Sequence, residues 1–249
     1  MTRPTDAQDT RSRLLAAAET LFAERGSEAV SLREIGRAAG ARNVLAAQYW
    51  FTDRDGLIRA LLDRHRGEIE AHRHALLDAY EAAGPTDPVA GLHELAGALV
   101  RPLAVELEQG AAGAGYLRTL ADLLTRREPT VEPLGVGEPG DSMARWRALL
   151  APLLDPAAVD LHRRFHTLRF VAVELAHRAQ DTGRSDHRLF VSQLVDAAAG
   201  LLAAGVSEQT RRLQAERRGP ASPDVPRDGG DAGHHGGAHD VGGDRSDAQ

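Results

Sequence analysis

The side chains best suited to recognise another molecule lie close together in a short stretch near the N-terminus. Asparagine and glutamine can each form two hydrogen bonds with adenine, arginine can do so with guanine, and aliphatic groups can touch the methyl group of thymine. The candidates for such base contacts are Arg42, Asn43, Val44, Leu45 and Gln48. For Val44 and Leu45 the alternative is packing inside the domain. The stretch therefore predicts a surface that reads base pairs in the DNA major groove.

A second group of side chains suits contact with the phosphates of DNA. Hydroxyl and guanidinium groups bond to phosphate oxygens, and these contacts position a protein on DNA without reading its sequence. The candidates are Ser31, Arg33, Tyr49 and Arg54. Their positions on both sides of the base-reading stretch predict that one small unit carries both kinds of contact.

Two short helices joined by a glycine turn are predicted to position these groups. Ser31 can cap the first helix, and Glu34, at its third position, can reach back to complete a capping box. Gly40 can end that helix in a left-handed conformation, and Asn43 is a suitable cap for the second helix. This helix-turn-helix arrangement is the one that places a row of side chains in the major groove.

Helical periodicity continues on both sides of this unit. A helix that begins at Asp9 or Thr10 and ends at Gly26 is predicted to pack across its back. A second helix is predicted from residue 53 to about Ala83, and its ~30 residues would span about 45 Å. A rod of that length, shared by two domains, converts a small push at one end into a displacement of the recognition helix at the other.

The run from Arg11 to Leu62 resembles the DNA-binding domain of the TetR family of transcriptional regulators and covers about a fifth of the chain. The matching segments are LLAAAETLFAERG (14–26), SLREIGRAAG (31–40), YWF (49–51) and DRDGLIRALL (53–62). The resemblance implies a ligand-responsive regulator, with repression as the expected outcome. It also implies that the protein binds a double-stranded, near-palindromic DNA operator as a homodimer.

The predicted fold is all-α, because helical spacing recurs up to residue 218 and strand-like alternation is absent from the sequence. The predicted domains are a helix-turn-helix DNA-binding domain at 1–52 and a helical effector-binding and dimerisation domain at 53–218. Residues 219–249 are rich in Gly, Asp, Pro and His and poor in large apolar residues. Such a composition cannot bury enough apolar surface to fold, so this tail is predicted to be disordered.

Prolines and glycines predict where the helices of the second domain end. The segment 84–88 should end the long helix, Pro102 should kink the next one, and the glycines between 110 and 115 should interrupt it. A mobile loop is predicted at 128–141. One continuous helix is then expected from Asp155-Pro156 to about Asp181.

The last two long helices, the second of which is predicted to begin at Ser185 or Asp186, are apolar on more than one face. A helix of this kind needs a partner beyond its own core. The resemblance implies that these two helices form the homodimer interface.

The resemblance further implies a cavity for an unknown small-molecule effector among the middle helices, apolar with a few polar groups that orient the ligand. Packing in the core is an equally acceptable interpretation of each candidate. Arg169 and Glu174 are the more informative ones, since a charge on a partly buried stripe must be paired, also across a dimer interface. The candidates are His93, Leu99, Leu103, Tyr116, Leu120, Trp146, Leu150, His166, Arg169, Phe170 and Glu174.

The charge of the chain is unevenly distributed. The 249 residues carry a formal net charge of -6. Residues 1–66 contain 11 Arg against 9 acidic residues, whereas acidic residues outnumber Arg in both 67–218 and 219–249. Cysteine is absent, which excludes disulfides and Cys-ligated zinc. No apolar run approaches the ~20 residues of a membrane span. A cytoplasmic protein with no membrane partner, metal or cofactor is expected.

Two other functions compete with the regulator hypothesis. A helical small-molecule-binding dimer with weakened DNA binding is the nearer alternative, motivated by the small positive excess of the first segment. An enzyme is disfavoured, because the sequence holds no glycine-rich phosphate loop, nucleophile elbow or HExxH motif.

Overall fold

The structure, a computed structural model, describes residues 4–41, 43, 45–134, 141–181, 183 and 186–218. Within these ranges every regular element is a helix and no residue lies in a strand, which confirms the all-α prediction. The α-helices are α1 (Pro4–Arg25), α2 (Leu32–Ala38), α3 (Ala46–Phe51), α4 (Arg54–Ala83), α5 (Pro88–Ala104), α6 (Gly110–Thr125), α7 (Ser142–Leu150), α8 (Pro156–Asp160), α9 (Arg163–Gln180), α10 (Arg188–Ala203) and α11 (Glu208–Arg218). Short 3₁₀ helices follow α5 and α7, at Val105–Glu108 and Ala151–Leu153.

The chain divides into two compact units, Met1–Ser207 and Glu208–Gln249. Helix α11 lies within the predicted domain 53–218, but in the structure it belongs to the unit Glu208–Gln249. The predicted boundary between residues 52 and 53 falls inside the first unit and stays a prediction. The predicted disordered tail, 219–249, lies outside the described residues.

The first and fourth helices form largely as their sequences predict. Leu14, Ala18 and Phe22 of α1 are buried. Helix α1 begins at Pro4, earlier than the predicted Asp9 or Thr10, because proline at the first helical position loses no helical hydrogen bond. Helix α4 ends as predicted at Ala83.

Two local features fix the ends of α4. The Asp53 side chain caps its N-terminus by accepting a hydrogen bond from the amide of Gly56 at 2.7 Å. At the other end Gly84 adopts the left-handed conformation, with φ of 56°. The long predicted rod is therefore present, from the edge of the helix-turn-helix into the body of the first unit.

The break predicted at the glycines between 110 and 115 is found at the first of them only, since Gly110 has a φ of 59° and opens a new helix after the 3₁₀ helix. Helix α6 begins at Gly110 and runs through Gly113 and Gly115. A Cβ on Gly115 would lie 2.2 Å from the carbonyl oxygen of Glu19, and one on Gly113 would lie 1.9 Å from that of Glu106. These glycines therefore serve close packing, because they let α6 touch the backbone of α1 and of the preceding 3₁₀ helix.

The helix predicted from residue 156 to 181 is two helices, α8 and α9. His162 between them has a φ of 57°, a left-handed conformation that ends one helix before the next begins. Directly after the break the Arg163 guanidinium donates to the carbonyl oxygens of Leu201 and Ala204, at 2.9 and 3.0 Å. The start of α9 is thus fixed by the end of α10, which the local sequence does not indicate.

The other predicted breaks agree only in part. Asp87 caps α5 with Pro88 at its first position, as expected for the end of the 84–88 segment. Pro102 lies inside α5, which continues to Ala104. Of the predicted mobile loop 128–141, residues 135–140 lie outside the described part, and Val131 is buried in the core.

Among the described helices, no single one is long and apolar enough to cross a membrane. Helices α10 and α11, taken together as a bent pair, meet the requirements of a membrane span by length and composition alone.

The contact of α6 with α1 generates a stability prediction. Gly115→Ala should lower the free energy of unfolding by about 1–3 kcal/mol, because the new methyl group has only backbone to displace. Gly67→Ala is the matched control, since a Cβ on this α4 glycine meets nothing within 4 Å. The control should raise stability by about 0.5–1 kcal/mol. Urea unfolding of both variants measures the difference, and equal effects would contradict the close contact.

Candidate nucleic-acid interface

The N-terminus of α2 is fixed by the predicted capping box. The Ser31 hydroxyl accepts a hydrogen bond from the Glu34 amide at 3.2 Å, and the Ser31 amide donates to Glu34 Oε2 at 2.8 Å. The backbone hydrogen bond from Ser31, helped by its hydroxyl and by Arg25, lowers the pKa of Glu34 to about 2. The hydroxyl of Ser31, a predicted phosphate contact, is therefore used inside the protein to hold α2 in place.

Helix α3 has one buried and one exposed face. Ala47 and Phe51 point into the core, and Trp50 is half-buried with its ring edge against Tyr49. Gln48 is exposed, and the Tyr49 residue is 81% exposed. A large aromatic residue left this exposed beside a well-packed core is available for contact with another molecule.

The turn before α3 differs from the prediction. Helix α3 begins at Ala46, so Asn43 is not its cap. The Asn43 side chain instead accepts a hydrogen bond from the Leu45 amide at 2.9 Å, an Asx turn that competes with helix formation. Leu45 is 49% exposed, which excludes the alternative that it packs in the core.

Four of the nine predicted DNA contacts are exposed on α3 or in the turn before it. We call Asn43, Leu45, Gln48 and Tyr49 the recognition face; the structure places all four outside the core, on α3 or in the turn before it. The other two base-contact candidates, Arg42 and Val44, lie outside the described residues.

Arg54 departs from its predicted role. Its guanidinium donates hydrogen bonds to the carbonyl oxygens of Ser27 at 2.6 Å, Glu28 at 3.4 Å, and Val30. These carbonyls belong to the loop between α1 and α2. Arg54 is therefore directed inward, where it holds the loop that positions α2, and it is not the free phosphate contact that its residue type predicts.

Helix α2 carries two exposed arginines. Arg33 and Arg37 lie one turn apart, both are exposed, and neither forms an ion pair with any described residue. Arg33 is a predicted phosphate contact. Arg37 was missed, although its spacing of four residues from Arg33 indicates that the two share one helix face.

In the part of the chain that the structure describes, the predicted effector contacts outside α9 are divided between the core and two separate cavities. Six of them are core residues: Leu99, Leu103, Tyr116, Leu120, Trp146 and Leu150. His93 lines a cavity of about 620 Å³ between α5 and α10. Leu103 and Tyr116 border a small cavity of about 20 Å³ next to Arg73.

The predicted effector contacts on α9 are more accessible. His166 is exposed, and Phe170 and Glu174 are half-buried. The Arg169 guanidinium lies 5.6 Å from the ring centroid of Phe165, also on α9. The effector-contact set stays a prediction.

A buried cation among the middle helices was missed. Arg73 is 3% exposed and donates to the Ala98 carbonyl at 3.2 Å, to Ser142 Oγ at 2.8 Å and to Glu70 at 3.3 Å. Burial lowers the pKa of this guanidinium. Its spacing of four residues from both Ile69 and Leu77, which are buried, is the signal that could have found it.

A capped helix, a turn and a second helix with an exposed face, packed on α1, define a helix-turn-helix DNA-binding domain. Residues 14–61 match the family described as bacterial regulatory proteins, tetR family. The HTH-type transcriptional regulator AcrR from Shigella flexneri is 37% identical over 94 residues, which are 36% of this chain and 40% of that protein. Residues 14–61 are therefore similar to the DNA-binding domain of the TetR family, and the chain spans less than half the length of the curated relative that it matches.

Two solved structures are also similar. A mutant of HlyIIR with residues 170–185 substituted by alanine is 15% identical, with a TM-score of 0.48 over 82% of this chain and 100% of that one. The TetR family transcriptional regulator PfmR from Thermus thermophilus is 16% identical, with a TM-score of 0.38 over 79% of this chain and 100% of that one.

The inward direction of Arg54 can be tested by removing its hydrogen-bond donors. Arg54→Met leaves the loop carbonyls without donors and should lower the free energy of unfolding by about 1–3 kcal/mol. Arg33→Met removes an exposed arginine and should change it by less than about 0.5 kcal/mol. Thermal and urea unfolding distinguish the two, and an Arg54→Met variant as stable as Arg33→Met would show that the loop does not need the guanidinium.

Proposed function

We propose that this chain is a ligand-responsive transcriptional repressor that binds a palindromic DNA operator as a homodimer. The observation that carries the proposal is the recognition face, an exposed set of polar and apolar side chains on and before the second helix of a helix-turn-helix. The similarity of residues 14–61 to the TetR family supports the same function. The proposed activity is binding and release of DNA, with no catalysed reaction.

Contacts with DNA are divided between the two short helices. Gln48, Leu45 and Asn43, together with their sequence neighbours Arg42 and Val44, are proposed to touch base edges in the major groove. The exposed phenol of Tyr49 is proposed to meet a phosphate. Such a division is physically reasonable, because α3 carries no charged residue and its contacts depend on shape and hydrogen bonding.

Phosphate contacts also come from α2 in this proposal. Arg33 and Arg37 release counterions when they meet phosphates, so each contributes to affinity for any DNA sequence. The local positive charge of α2 thus supplies attraction that the net charge of the whole chain does not.

Dimerisation through α9 and α10 is proposed from their exposed apolar side chains. Phe165 on α9, and Leu189 and Leu201 on α10, are large hydrophobic residues left exposed in the single chain. Burying them against a second copy removes apolar surface from water. A dimer of this kind holds two recognition faces at about one DNA turn, ~34 Å, or somewhat more.

The effector is proposed to act on the spacing of the two DNA-binding domains. A ligand that binds more tightly to a dimer with wrongly spaced domains shifts the population away from DNA. Helix α4 is the proposed connection, because it begins beside the recognition face at Arg54 and extends to Ala83.

DNA binding is tested with a fragment from the region upstream of the gene. Gln48→Ala should reduce the preference for the operator over unrelated DNA by about 1–3 kcal/mol. Arg33→Gln and Arg37→Gln should weaken binding to both DNAs and reduce the slope of log affinity against log salt by about one each. Fluorescence anisotropy at several salt concentrations measures both effects.

Gln209→Ala is the matched control for these variants, since it removes an exposed glutamine from α11. Its affinity should equal that of the wild type. Absence of salt-sensitive binding to any upstream fragment by the wild type would reject the regulator function and favour a helical small-molecule-binding dimer with weakened DNA binding.

The dimer interface can be tested with two equally exposed apolar residues. Leu189 on α10 is 72% exposed and Val89 on α5 is 70% exposed. Leu189→Glu should shift the protein toward monomers, because a carboxylate would have to be buried in the interface. Val89→Glu should leave the dimer intact. Sedimentation velocity over a range of concentrations measures the shift, and a wild-type monomer would reject this interface.

A further inference from the structure

A histidine lies between two carboxylates deep in the first compact unit. The imidazole of His65 on α4 donates from Nδ1 to Glu106 Oε2 at 2.8 Å and from Nε2 to Glu19 Oε1 at 3.2 Å. The side chain of His65 is 9% exposed, and both carboxylates are buried more deeply. Groups of this polarity are costly to bury unless each one is bonded, so the three side chains depend on one another.

The two carboxylates come from different parts of the predicted architecture. Glu19 lies on α1, the helix that backs the helix-turn-helix. Glu106 lies in the 3₁₀ helix between α5 and α6, within the predicted effector domain. The ring of His65 therefore bridges the two regions through a pair of hydrogen bonds.

Two further side chains lie next to the bridge formed by His65, Glu19 and Glu106. On α4, Arg64 lies 3.4 Å from the second oxygen of Glu19. On α6, the Tyr116 ring is stacked on the imidazole, with centroids 4.7 Å apart and planes at 27°. Next to Tyr116, Gly115 brings α6 against the backbone of Glu19. The bridge thus sits where α1, α4 and α6 meet.

The charge state of the ring determines whether both bonds can form. Burial alone would lower the pKa of His65, but the hydrogen bonds from the ring to Glu106 and Glu19 outweigh it and raise the pKa to about 9. The protonated ring has two N–H donors, whereas a neutral ring has only one. At neutral pH both carboxylates are therefore satisfied, and above about pH 9 one of them would face a lone pair.

We infer that His65 is the positioning residue that joins the DNA-binding domain to the effector domain, by bonding to Glu19 of α1 and Glu106 beside α6 at the same time. The inference rests on the proposed function for its consequence in DNA binding. With both hydrogen bonds present, α1 and the helix-turn-helix packed on it are held in a single orientation relative to α6. Loss of either bond leaves a buried carboxylate without its donor and favours a second arrangement of the two domains.

The sign of the pH effect follows from the same bonds. The bridged arrangement binds the proton more tightly than one in which a carboxylate has moved away, so alkaline pH favours the unbridged arrangement. A movement of the 3₁₀ helix on effector binding would take Glu106 from the ring and release the proton. Operator binding and a protonated His65 are therefore expected to support each other.

The test compares full-length variants for operator affinity, unfolding and amide hydrogen exchange. His65→Gln removes the ring but leaves two buried carboxylates, a change that puts folding itself at risk, so His65→Gln/Glu106→Gln is made as well. The double variant removes the carboxylate charge together with the imidazolium charge, while Arg64 remains beside Glu19. His72→Gln is the matched control, because His72 lies on the same helix, is half-buried, and forms no ion pair with any other described residue.

Wild-type affinity for the upstream DNA fragment should fall roughly tenfold between about pH 7 and about pH 9.5, a size typical of coupling between sites. His72→Gln should show the same fall. The double variant should bind roughly tenfold more weakly at about pH 7 and show little further loss as the pH rises. A folded double variant with wild-type affinity and pH profile would overturn the inference, as would a lower unfolding temperature with unchanged affinity.

Hydrogen exchange keeps this inference separate from the proposed function. If the wild type binds no upstream fragment, the regulator proposal fails, but the bridge can still be measured. Amides of α1 and α6 should exchange roughly tenfold faster in the double variant than in His72→Gln, because opening at this junction costs less free energy. Equal protection in both variants would overturn the bridge itself.

Discussion

Buried carboxylates impose the constraint on which the arrangement of the first unit depends. Glu19 and Glu106 lie in the interior, where an ionised group must be bonded or its burial becomes very unfavourable. His65 satisfies both, and the glycine at 115 lets α6 approach closely enough for the ring of Tyr116 to cover the imidazole. Apolar packing holds α1 against α6, but the polar bridge selects one relative position among those that packing alone would allow.

The sequence predicted those helix ends that are set by residues close together in the chain. The capping box of Ser31 and Glu34 is complete within four residues, and α4 is bounded by Asp53 and Gly84 as its sequence indicates. In each case the hydrogen bond or the backbone conformation involves residues next to one another in the chain. The fold class and the exposed side of α3 could therefore be read before any tertiary contact was known.

Tertiary contacts account for the features that the sequence did not reveal. Glycine predicts a break or a close approach, and only the position of Glu19 decides that Gly115 serves the second purpose. Arg54 resembles a phosphate ligand until the carbonyls of the α1–α2 loop are placed around it. His65 lies on the predicted helix α4, but both of its carboxylate partners are more than 40 residues away in the sequence.

The small positive charge of the N-terminal segment has a structural explanation. Several of its arginines are committed within the protein: Arg25 pairs with Glu34, Arg64 with Glu19, and the Arg54 guanidinium holds a loop. A count of charges therefore overstates the cations available to DNA even where the balance is positive. The exposed pair on α2 is more informative than the total, because affinity for a polyanion depends on which guanidinium groups can reach phosphates. In the proposed regulator, an uncharged α3 beside a cationic α2 would separate recognition of bases from attraction to the DNA backbone.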